Sequence, residues 1–160
     1  MHGAELMDSL PNPYKGSGRW YIEFTVGPAT LTNGGFRVGV RADAYPGNII
    51  GQDFYSMGWA DNGEVIYDAG PVDSLTPEHV SAFHPNHILG LGIDITNKRL
   101  NCYHWFPGGS YAFEGAYPMD AAVFPAISIF NSGVSCIVNC GASPFAMPVP
   151  PGFNAGWYNS

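Results

Sequence analysis

Apolar residues recur at every second position through Trp20, Ile22, Phe24 and Val26, with Tyr21, Glu23 and Thr25 on the other side, which predicts a half-buried strand. Phe36, Val38 and Val40 repeat the period. The Asn33-Gly34-Gly35 before them supplies the positive φ of a tight turn, so these first two runs read as a hairpin with a long loop. Residues 55–59 and 64–67 flank Asp61-Asn62-Gly63, and Asn-Gly between two apolar-patterned runs is a strong hairpin signal. Residues 88–95 and 99–105 form another hairpin around Thr96-Asn97-Lys98, and 122–130 with 134–140 a last one around Asn131-Ser132-Gly133. Glycines inside the 88–95 strand mark close backbone approach or a packed aromatic ring.

The 21 glycines and 14 prolines leave hardly a window long enough for an average helix. At most one helical turn is expected, at 74–79, where Ser74 or Thr76 caps a start before Pro77 and Glu78. Short strands with turns every 8 to 12 residues, and no alternation of strand with helix, predict an all-β fold: a two-sheet antiparallel sandwich. With 160 residues there is room for one core, over 17–160, behind an irregular lead-in at 1–16.

Composition narrows the functions. Charged residues are 12% of the chain against roughly 25% in an average soluble domain, while hydrophobic residues are 46%, which excludes disorder. Net charge is -7, and 42–97 hold no Lys or Arg but Asp43, Asp53, Asp61, Glu64, Asp68, Asp73, Glu78 and Asp94. Such a stretch repels a phosphate backbone, so nucleic acid is not an expected partner. No apolar run reaches the roughly 20 residues of a membrane helix, and Met1-His2-Gly3-Ala4-Glu5 lacks the features of a signal peptide. Cys102, Cys136 and Cys140 cannot all pair. Four residues of strand separate the last two by roughly 13 Å, beyond disulfide reach, so free thiols in a reducing compartment are expected.

Gly18-Arg19-Trp20-Tyr21-Ile22-Glu23-Phe24 resembles the opening strand of SPRY domains, and further blocks follow in that family's order. They are Arg37-Val38-Gly39-Val40, Ile50-Gly51 with Ser56-Met57-Gly58-Trp59, Ile88 through Asp94, Leu100-Asn101-Cys102-Tyr103, Phe124 through Ser128, and Val138-Asn139-Cys140-Gly141 with Pro144-Phe145 and Pro150-Pro151-Gly152-Phe153. Asn86-His87 stands where many members have Gly-Asp, Gly108-Gly109 where they have Asn-Gly, and Cys140 where they have Phe. Within the family, the closing Pro-Phe to Gly-Phe pattern and the charge-poor, Gly/Asn/Ser-rich surface look most like SPRY-type domains of bacteriophage virion proteins. The resemblance implies a concanavalin A-like sandwich that binds partners through its loops and has no catalytic centre.

The residues agree on chemistry. No GxSxG elbow is present, and Glu23 and Asp94, acids inside the predicted strands, are read as buried or turn-holding rather than as a glycosidase pair. His79, His84 and His87 fit no metal-ligand spacing, and Asp61-Asn62-Gly63-Glu64 is explained by a hairpin turn without calcium. No catalytic residue, cofactor or metal is expected. Aromatics are the informative class, because Tyr and Trp at loop ends supply rigid contact area. The loops 43–54 and 107–118 combine them with Gly, the first also with Asn48, and lack Lys and Arg, so Tyr45, Asn48, Tyr111 and Tyr117 are the expected partner contacts.

The expected function is a non-catalytic binding or structural module. The first assignment is a phage decoration, fibre or tail protein, assembled in the host cytoplasm, built into the virion and docked on capsid or tail subunits as part of an oligomer or assembly. Its alternatives are a glycan-binding module and a cytoplasmic, host-side SPRY adaptor recognising a short peptide.

Overall fold

The computed structural model describes residues 17–31, 35–41, 50, 56–67, 70–71, 81–118, 123–129 and 133–157. They form β1 (Arg19–Val26), β2 (Phe36–Arg41), β3 (Ser56–Ala60), β4 (Val65–Tyr67), β5 (Gly70–Pro71), β6 (Ile88–Asp94), β7 (Arg99–Trp105), β8 (Ala112–Pro118), β9 (Phe124–Ile129), β10 (Cys136–Asn139) and β11 (Asn154–Ala155). One sheet runs β10-β1-β6-β7-β8 with β11 also against β1, and the other runs β5-β4-β3-β2-β9. All pairings are antiparallel except the short parallel contact of β11 with β1. The fold is therefore the expected all-β two-sheet sandwich. The proposed turn at 74–79 lies outside the described residues, as does the lead-in at 1–16.

The alternation seen in the sequence sets the core. Trp20, Ile22, Phe24 and Val26 of β1 meet Phe36, Val38 and Val40 of β2 between the sheets, with Leu89, Leu91, Ile93, Trp59 and Trp157 filling the layer. The hairpins β3–β4 and β6–β7 form as predicted, with Gly63 at φ 90 and Lys98 at φ 55 in their turns. Two other expected hairpins do not form. β1 pairs with β6 and β10, whereas β2 pairs with β3 and β9, so the chain crosses from one sheet to the other after β1. It crosses again between β9 and β10. A turn signal encodes reversal of the chain and says nothing about which sheet receives the next strand.

Two further corrections concern burial and extent. Residues 107–118 were expected to be a loop, but 112–118 form β8, whose pairing with β7 carries a bulge between Cys102 and Tyr103 that breaks the alternation. β1 is also not half-buried, for Tyr21 and Glu23 on its outer side are 0% and 3% exposed. The segment after β10 folds across that side. Phe145 meets the Tyr21 ring edge-on at 5.0 Å, and the backbone N–H groups of Ala146 and Met147 donate to the Glu23 carboxylate at 2.9 and 3.0 Å. The strand glycines fit this cover: a Cβ on Gly92 would come 2.8 Å from the Phe153 ring, and one on Gly90 would overlap the Tyr111 hydroxyl.

Glu23 therefore acts as a clamp. A glutamine there offers one oxygen and one NH2 where the carboxylate offers two oxygens, so one backbone donor would face another donor. Glu23→Gln should cost about 2 kcal/mol, the penalty for leaving one buried group unsatisfied. Chemical denaturation measures it, and an unchanged midpoint would show that the clamp contributes nothing.

Candidate functional site

At one end of the sandwich β1 finishes, β2 begins, β3 turns into β4 and the chain enters β6. There Leu31, Asp61, Asn62, Ala82, Phe83 and His84 line a cleft of about 380 Å³. The β3–β4 turn fixes its floor. Asp61 is 5% exposed, its N–H donates to the Phe36 carbonyl at 3.0 Å, and its own carbonyl accepts the Phe83 N–H at 3.0 Å. Asn62 stands exposed beside it, donating through Nδ2 to Glu64 and accepting the Glu64 N–H, both at 3.1 Å. Burial lowers the pKa of the nearby Arg37 guanidinium, and Glu64 and Asp61 pull it back up.

The 81–87 segment forms the facing wall and is pinned at both ends. Phe83 inserts edge-on against Phe36 at 5.5 Å and Trp59 at 5.6 Å, while the Trp59 indole N–H donates to the Ser81 carbonyl at 3.1 Å. At the far end the Asn86 N–H donates to the Val26 carbonyl at 3.0 Å and the His87 carbonyl accepts the Val26 N–H at 2.9 Å. Asn86 has φ 68, a left-handed conformation that Asn tolerates better than most other side chains.

The described residues contain no group of three or more His, Cys, Asp and Glu arranged to hold a metal ion. Of the histidines considered from sequence, His79 lies outside the described residues; His84 packs on His87, and His87 on His104 of β7. The acids in strands hold structure, as expected: Glu23 clamps the tail, and Asp94 accepts from Asn97 N–H and Nδ2 at 3.0 and 2.9 Å and pairs with Arg19 at 3.0 Å. Burial alone would raise the Asp94 pKa, but the Asn97 hydrogen bonds and Arg19 outweigh it and bring it below the ordinary value. Glu114 is a third acid in a strand, missed because β8 was missed. The three thiols are free, two of them buried, and burial raises the pKa of Cys136 to about 12 and of Cys140 to about 11.

Of the partner contacts expected from sequence, Tyr111 is not among the described residues that line this cleft. Tyr45 and Asn48 lie outside the described residues. Tyr111 is half-buried on the outer side of the larger sheet: its ring stacks on Tyr103 at 5.8 Å and its hydroxyl is hydrogen-bonded to that of Tyr21. Burial raises the pKa of both phenols. Replacing Tyr111 therefore disturbs this cluster. Tyr117 sits opposite Leu100, at the other end of β8 from Tyr111. At about 3.3 Å per residue the two are roughly 20 Å apart. The cleft was missed because its walls come from segments distant in sequence and Asp61 reads locally as a turn residue.

No family model matches the chain, and no curated protein matches it. Solved structures do. The SPRY domain of human HERC1 is 14% identical with a TM-score of 0.59, over 79% of this chain and 77% of that one. The TRIM65 PSpry domain is 14% identical with a TM-score of 0.56, over 79% of this chain and 67% of that one. A human SPRY domain is 15% identical with a TM-score of 0.56, over 90% of this chain and 99% of that one. The fold is that of SPRY domains.

Proposed function

We propose that residues 17–160 act as one non-catalytic binding module that seats a short segment of a protein partner in the cleft between the β3–β4 turn and the 81–87 segment. The observation that carries this reading is Asp61, a carboxylate residue held 5% exposed by backbone hydrogen bonds at the floor of a cleft with Leu31 and Phe83 for apolar walls. A few fixed polar groups within apolar walls are the composition of a recognition pocket. Asn62 and His84, exposed on the rim, offer hydrogen bonds to an incoming segment. The excess of acids in 42–97 favours a neutral or basic one.

Among the roles raised from sequence, the host-side adaptor recognising a short peptide in the cytoplasm is the one this cleft serves. The phage assignment has support from neither the cleft nor the three SPRY structures, two of which are named as human. A glycan-binding role would need an exposed aromatic floor, and Phe83, the phenyl ring among the described residues lining the cleft, is 1% exposed.

A random peptide library selected on the immobilised domain tests the reading. Asn62 and His84 are exposed on the rim, so Asn62→Ala and His84→Ala should each weaken the selected peptides by about 1–2 kcal/mol while the melting temperature stays put. Unchanged peptide affinity in the double variant would refute the site.

A further inference from the structure

The wall of the cleft is latched to the larger sheet by a ring of polar contacts. His87 Nδ1 lies 2.8 Å from His104 Nε2, and the His84 backbone N–H donates to the same His87 nitrogen at 3.2 Å. His104 Nδ1 faces Glu114 Oε1 at 3.4 Å, and the Ser81 hydroxyl donates to that oxygen at 2.9 Å. The ring joins both ends of the 81–87 segment to β7 and β8. A backbone N–H can only donate, so His87 Nδ1 must be an acceptor and carry no proton; His104 then donates from Nε2, and its Nδ1 donates to Glu114 only when the His104 ring is charged.

We propose that the 81–87 segment is a proton-released strap: it stays closed while His87 Nδ1 accepts, and comes away from β7 when that nitrogen is protonated and faces two donors. Because Ala82, Phe83 and His84 line the cleft, release would reshape it.

The groups facing His87 set the sign. Burial is the largest influence, and His104 from β7 and His84 from its own loop add to it, together bringing its pKa from 6.5 down to about 4. His104 is lowered as well, by burial first and by His84, while Glu114 of β8 opposes. The rings packed around the pair, Phe106 on both and Trp59 on His104, bring no charge. The closed form thus disfavours protons that an open form would bind. Strap closure is at full strength above pH 6.5, is lost as pH falls from there to about 4, and levels off below.

Native-state hydrogen exchange tests this without any ligand. The Phe83 and Asn86 amides, bonded to Asp61 and Val26, report the strap, and the Leu91 amide of β6 reports the whole fold. Their protection relative to Leu91 should fall by roughly tenfold or more on acidification through that window. Glu114→Gln keeps an acceptor for Ser81 without titrating, and should preserve the fall. His87→Gln should remove the pH dependence whether the strap then rests closed or open. Three results would each overturn the proposal: no fall in wild type, loss of protection at Leu91 in step with Phe83, or a fall that survives His87→Gln or disappears in Glu114→Gln.

Discussion

Gly39→Ala should leave little or no folded protein. Gly39 of β2 faces Gly58 of β3 in the middle of the smaller sheet, and a Cβ on it would overlap the Met57 carbonyl oxygen and come 2.9 Å from the Gly58 Cα. Both obstacles are backbone, so no side chain can swing aside. Parting the strands would break the ladder that joins β2 to β3 and, through it, β4 and β5 to the sandwich. The cost should exceed about 3 kcal/mol, above the usual range for overpacking, because the relief must come from the sheet itself. Circular dichroism and yield of soluble protein check it. A melting temperature within a few degrees of wild type would mean that the two strands do not approach as described.

Trp20→Ala should cost about 3–5 kcal/mol, the range for a buried aromatic. Trp20 opens the inward stripe of β1, is 9% exposed, and meets Trp157 edge-on at 6.3 Å while its indole N–H donates to the Ser17 carbonyl at 2.8 Å. Removing it opens a void beside Trp157, which is itself 1% exposed and held by its N–H to the Cys140 carbonyl at 2.7 Å. The loss thus reaches both the first strand and the tail that closes over it. Urea unfolding measures the effect, and a change under 1 kcal/mol would show that the inward stripe of β1 is misassigned.

These two residues mark what the sequence makes legible. The stripe containing Trp20 was plain from period 2 alone, and so were the hairpins at Asn62-Gly63 and at Asn97-Lys98, where local turn chemistry fixes the pairing. What a local signal cannot carry is the choice of sheet, which is why β1 and β2, and β9 and β10, read as hairpins yet lie in opposite layers. Glu114 and β8 were hidden by the bulge opposite Cys102 and Tyr103, which shifts one residue out of alternation. The cover over Tyr21 and Glu23 was hidden for another reason: the segment that supplies it, with Phe145 and Phe153, has no period of its own. In the latch, His84 and His87 stood out as a loop pair, but His104 sits on a strand with its ring turned inward, and only the β6–β7 register brings it to them.

Recognition at the end cleft is put to the test by nuclear magnetic resonance mapping of a library-selected peptide on the labelled domain. Shifts on titration should concentrate at Leu31, Asp61, Asn62 and residues 82–84, and Asn62→Ala with His84→Ala should abolish them at the same peptide concentration. Shifts confined to Tyr103, Tyr111 and Phe113 on the outer side of the larger sheet, with the cleft residues unmoved, would contradict it.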